Sequence, residues 1–126
     1  MLIDTSQQFP VVTILRQGRY LIASVHAALD DGQFIRFQHD VIEQIGRYRS
    51  SGVIIDLAAI DVLDVFAAGT LQNLARMASL RGAITVIVGI HPDVAFATAR
   101  LGPHPDIAPT ALDLDDGMDI LHELTI

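Results

Sequence analysis

The chain contains no cysteine, so it has neither a disulfide framework nor a thiolate metal site, and chemistry by a cysteine nucleophile is excluded. It also contains no lysine. The eight basic residues are all arginine, set against fifteen Asp and Glu for a formal charge of −7. A phosphate backbone would meet net repulsion over most of such a surface, and nucleic acid is therefore not an expected partner. Tryptophan is absent and aromatics are scarce, which leaves Ile, Leu, Val, Ala and a few Phe to fill the interior. No apolar run approaches the roughly 20 residues that cross a bilayer. The N-terminal MLIDTSQQF lacks the basic region and long apolar run of a secretory signal. The expected compartment is the cytoplasm, without membrane contact. Glycines are isolated, with none of the spacings of a phosphate-binding loop, and no G-x-S-x-G elbow occurs.

What is present is a chain of 126 residues, half of them apolar, which is enough for one domain with its own core and short for two. Residues 11–15 and 20–25 are β-rich runs parted by Arg16, Gln17, Gly18 and Arg19, the pattern of a hairpin. Asp30 or Asp31 can cap a helix in which Phe34, Phe37, Val41, Ile45 and Tyr48 share one face, ending near Ser50, Ser51 and Gly52. Arg36, Gln38, Asp40, Glu43 and Arg47 occupy the opposite, solvent face. The run Val53-Ile54-Ile55-Asp56-Leu57 suits a strand covered on both sides. Residues 65–81 read as a second helix with Asp64 as N-cap, an inner stripe of Ala67, Leu71, Leu74 and Ala78, and Gly82 as its stop. Residues 83–89 form another buried strand, and His91-Pro92-Asp93 begins a third helix with Val94, Ala97, Thr98 and Leu101 inward. Two prolines make residues 102–106 a loop; residues 107–112 follow as an edge strand, since Pro109 cannot donate to a ladder, and residues 113–124 as a last amphipathic helix. The order β-β-α-β-α-β-α-β-α predicts an α/β fold with a mostly parallel five-stranded sheet, about four helices, and the first strand antiparallel at one margin.

Asp56, Asp61 and Asp64 cluster where a parallel strand hands over to a helix, the usual place for ligands in open α/β sheets. The turn has no His, Lys or Arg to complete an acid/base or metal set, so the plain reading is turn hydrogen bonding by Asp56 and Asp61 and capping by Asp64. An enzymatic or small-ligand role for these acids predicts a sizeable concave pocket above Asp56 and Asp64. His-Pro-Asp occurs at 91–93 and again at 104–106; each proline has a local explanation, and no metal or cofactor is expected. His26, His39 and His122 stand alone as rim residues.

The segment GVIIDLAAIDVLDVFAAGTLQNLARMASLRGAITVIVGIHPDVAFATARLG resembles STAS domains, with an apolar strand ending in Asp, a short turn, a second Asp and then a helix. Leu29-Asp30-Asp31, Gly89-Ile90-His91-Pro92 and Pro109-Thr110-Ala111-Leu112-Asp113-Leu114 extend the likeness over nearly the whole chain, closest to the single-domain scaffold of stressosomes. The resemblance implies a STAS fold and a non-enzymatic anti-sigma-factor antagonist or scaffold. Its implied partners are a serine/threonine switch kinase or an anti-sigma factor and paralogous STAS scaffolds, in a homo- or hetero-oligomer. It also implies a phosphoacceptor hydroxyl directly after the second Asp, at a helix N-terminus that favours phosphate, and a second acceptor just before the glycine that ends the fourth strand. Those positions hold Val65 and Val88, neither of which can be phosphorylated. The partner contacts implied are Asp61, Asp64, Val65, Phe66 and Thr70, with Phe66 alternatively a core anchor. Thr70 is either a relocated phosphosite or an ordinary helical threonine bonded back to a carbonyl. Regulation of a membrane protein is a further role open to a STAS domain.

Overall fold

The computed structural model describes residues 10–90 and 108–125. Their elements, in chain order, are β1 (Val12–Gln17), β2 (Tyr20–Val25), α1 (Asp31–Tyr48), β3 (Gly52–Asp56), α2 (Val65–Leu80), β4 (Ile84–Val88), β5 (Thr110–Ala111) and α3 (Leu114–Leu124). The helix expected from His91 and the loop at 102–106 lie outside the described residues. The strands form one sheet in sequential order, β1-β2-β3-β4-β5, with β1 antiparallel to β2 and every later pair parallel. This is the mixed α/β sheet that the order of elements predicts.

Local chemistry explains the helix ends. Asp30, rather than Asp31, caps α1: its Oδ1 accepts from Gln33 N at 2.7 Å, and Gln33 Oε1 accepts from Asp30 N at 2.8 Å, a reciprocal capping box. α2 stops in a Schellman arrangement, with Ala83 N–H donating to Ala78 O, Gly82 N–H to Ser79 O, and Gly82 at φ 83°. α1 stops differently from the sequence expectation. Arg49 takes the left-handed position at φ 50°, and Gly52 belongs to β3. There a Cβ would meet Leu121 of α3 at 2.5 Å, so the glycine is spent on packing and not on ending a helix.

The hairpin is also tighter than its polar residues suggest. Arg16 and Gln17 continue β1, because an edge strand can face water, and only Gly18 and Arg19 form the turn, with Gly18 at φ 61°. Arg16 places its guanidinium 4.8 Å from the centre of the Tyr48 ring, which is half-exposed and not inside as the helical stripe implies.

Alternation along the strands sorts the core into two layers. Leu21, Ala23, Val53 and Ile55 meet the inner stripes of α1 and α2 on one face, while Tyr20, Ile54, Val86 and Val88 meet Leu121 of α3 on the other. A continuous apolar run in β3 follows from burial on both faces.

Candidate functional site

The Asp-rich turn joins β3 to α2 at the carboxyl end of the sheet. It is pinned from beneath. Leu57, Ile60 and Leu63 are buried, Leu57 N–H donates to Val88 O at 3.0 Å, and Ile60 N–H donates to Leu57 O at 2.9 Å. Gly89 permits this close packing: it has φ 77°, and a Cβ there would lie 2.8 Å from Ala58 N.

With every third residue anchored inward, those between them point out. Asp61 and Asp64 are exposed, Val62 is 79% exposed and Val65, the first residue of α2, 67%. Phe66 is 42% exposed and so is not the core anchor that one reading allowed. Asp56 Oδ1 accepts from Ala58 N at 3.0 Å, and Asp64 Oδ1 accepts from Ala67 N at 2.8 Å. These two acids are thus engaged in turn and cap bonds. Asp64→Ala is expected to lower the unfolding free energy by about 1 kcal/mol, read from the urea midpoint, because it orphans the Ala67 N–H.

Two sequence-derived positions fall elsewhere. Thr70 is 5% exposed, on the same inward stripe as Ala67, Leu71 and Leu74, and its hydroxyl donates to Phe66 O at 2.9 Å. It does not share the outward surface, a correction to its inclusion among the contacts; the i→i−4 back-bond accounts for its hydroxyl. Val88 is 1% exposed, beneath Gly117 of α3 in the second core layer. The two acceptor-equivalent positions are therefore unlike each other: residue 65 faces solvent and residue 88 is enclosed. Val62 was missed by sequence reasoning, although its place between inward Ile60 and Leu63 is the signal that would have found it.

Three grooves among the described residues are lined by other segments and include none of Asp56, Asp61 and Asp64. The His, Asp and Glu side chains that converge within metal-ligand range among the described residues are His39, Asp40 and Glu43, all exposed on the outer face of α1, and Glu43 also lies 3.5 Å from Arg47. The His-Pro-Asp tripeptides lie outside the described residues. No described helix is long and apolar enough to cross a membrane.

Comparison with known proteins agrees with this architecture. The sequence model of the STAS domain matches residues 12–117. Among solved structures, the chain is similar to a serine-to-glutamate variant of RsbS from Moorella thermoacetica, with 32% identity, 90% of this chain and 96% of that one covered, and a TM-score of 0.79. A chain from the stressosome, titled a signal integration and transduction hub, matches at 30% identity over 89% of this chain and 97% of its own, with a TM-score of 0.72. The anti-sigma factor antagonist SpoIIAA in its unphosphorylated form, 12% identical, shares the fold at a TM-score of 0.67 over 91% of this chain and 99% of its own. No curated protein sequence matches. Matched by the domain model over most of its length, and about one-third identical to a relative that it spans almost completely, the chain belongs to the STAS domain family.

Proposed function

We propose that this chain is an anti-sigma-factor antagonist or stressosome-type scaffold that retains a switch kinase or an anti-sigma factor on the outward face of residues 61–66. The observation that carries the reading is the exposure of Val65 at the first position of α2, directly after the capping Asp64 and beside exposed Val62 and Phe66. A large apolar side chain at a helix start gains nothing from solvent, but it adds to affinity when a partner covers it, with Asp61 and Asp64 as a polar rim.

The same position explains why the contact is not released by phosphorylation. The N–H groups of a helix's first turn lack intrahelical acceptors, so a phosphate on residue 65 would be held there and would change the surface by nearly two charges. Valine has no oxygen to accept one. At residue 88 the side chain is enclosed as well as apolar. The chain thus acts as a constitutive member of an assembly with paralogous STAS scaffolds, and it performs no turnover.

The test mixes the purified chain with its cognate switch kinase and measures the mass of the complex by light scattering, with and without ATP. A complex that persists with ATP, with no phosphate found by mass spectrometry, is the expected result. Failure to form any complex, or release accompanied by stoichiometric phosphate on another hydroxyl, would overturn it.

A further inference from the structure

Of the five histidines, His26, His39 and His122 lie among the described residues, and two of these three are engaged. His26 Nε2 is 2.9 Å from Thr13 Oγ1, and His122 Nδ1 is 3.3 Å from Tyr20 Oη. His39 differs. Neither its ring nor the Asp40 carboxylate makes a hydrogen bond or ion pair among the described residues, yet ligand atoms of His39, Asp40 and Glu43 all lie within 4.8 Å of one another.

Helix geometry brings the three together. His39 and Glu43 stand at i and i+4 and Asp40 and Glu43 at i and i+3, so the donors share one stripe in the middle of α1. Solvation accounts for the two carboxylates on an outward face, and Arg47 pairs with Glu43 at 3.5 Å. It does not account for an unbonded imidazole set against both of them. Around one Zn²⁺ with ligand bonds of about 2.0–2.2 Å, tetrahedral donors stand about 3.4 Å apart. Small rotations of three exposed side chains close the present spacing to that value, and an exposed pair such as Glu43 with Arg47 competes only weakly.

A groove adjoins the cluster. His39 and Glu43 line it, about 520 Å³ in volume between α1 and α2, together with Ile35, Ile42, Met77 and Arg81. Gln38 Nε2 donates to Met77 Sδ at 2.9 Å and ties the two helices there. We propose that His39, Asp40 and Glu43 bind one divalent cation of the Zn²⁺ class. A neutral imidazole and two carboxylates balance the charge of a dication, and the nitrogen donor suits Zn²⁺ better than Mg²⁺, which takes oxygen ligands in a strict octahedron. Three protein donors leave a further position for water, and two of the three donors place it beside the groove. The site uses none of residues 61–66 and does not rest on the function proposed for them.

Titration calorimetry of the untagged full chain with ZnCl₂ tests it. Wild type is expected to take up one Zn²⁺ per chain in a saturable step that excess Mg²⁺ does not displace. His39→Ala and Glu43→Gln should each raise the dissociation constant at least about tenfold, the lower bound seen even for losing a group that only supports a ligand. All three side chains are exposed, so the variants should keep wild-type circular dichroism and urea midpoints; a variant that does not is replaced by His39→Gln or Asp40→Asn, read by the same criterion. The double variant His91→Ala/His104→Ala, which removes the histidines of both His-Pro-Asp tripeptides, should bind Zn²⁺ like wild type. No saturable binding, binding undiminished by His39→Ala, or binding lost in the His91→Ala/His104→Ala protein would overturn the proposal.

Discussion

Gly117→Ala is expected to destabilise the fold by about 1–3 kcal/mol, the cost of overpacking a filled core. Helix propensity argues the other way, since alanine in place of glycine inside a helix is worth about 1 kcal/mol in favour of folding. Packing decides the sign. A Cβ on Gly117 would lie 2.5 Å from Val88 Cγ1, with Ile54 Cδ1 and Val86 Cγ1 at 3.6 and 3.7 Å. Val88 is β-branched, buried and in the middle of the sheet, so it cannot swing aside cheaply. α3 would have to lift from β3 and β4, loosening the layer that Leu121 completes. The same substitution in a Val88→Ala background should reverse sign and stabilise, because the obstructing methyl is gone and the propensity gain remains. Urea midpoints of the four proteins in the cycle measure this coupling. A higher midpoint for Gly117→Ala with Val88 intact would show that α3 does not approach the sheet as closely as described.

Val65→Glu is expected to weaken partner binding by about 2–4 kcal/mol, roughly 30- to 1,000-fold, as for an anchor residue at the centre of an interface. The substitution replaces an exposed methyl surface with a carboxylate beside Asp61 and Asp64. Stability should not fall, because a carboxylate in the first turn of α2 interacts favourably with the helix dipole, by about 0.3–1 kcal/mol. This separation makes the variant informative: lost binding with an unchanged or higher urea midpoint assigns the effect to the surface. Val65→Thr, of nearly the same shape, should retain the unmodified complex and restore a hydroxyl for the kinase. Titration calorimetry with the partner reads both variants, and a Val65→Glu protein that binds like wild type would remove residue 65 from the interface.

Local features of this fold were legible residue by residue. β2 and the N-terminus of α2 fall where propensity and capping place them, since a β-rich run and an Asp before an apolar stripe act through neighbours in the chain. The mostly parallel five-stranded sheet with one antiparallel margin also followed, because right-handed crossovers suit such a string of elements, whereas the sequential strand order came only from the structure. The Asp-rich turn was legible as a candidate functional address, but the directions of its side chains were not. Thr70 was placed with the contacts and lies inward, whereas Val62 was passed over and lies outward.

By itself, then, the sequence determined the described strands and helices, their order along the chain, the family and the lack of a hydroxyl at residues 65 and 88, since each depends on residue identity and near-neighbour spacing. Only the tertiary structure decided which glycines are required by close approach, at Gly52, Gly89 and Gly117, and that Val88 is sealed while Val65 is open. The physical reason is that exposure and proximity come from contacts between segments far apart in the chain, which neither propensity nor periodicity encodes.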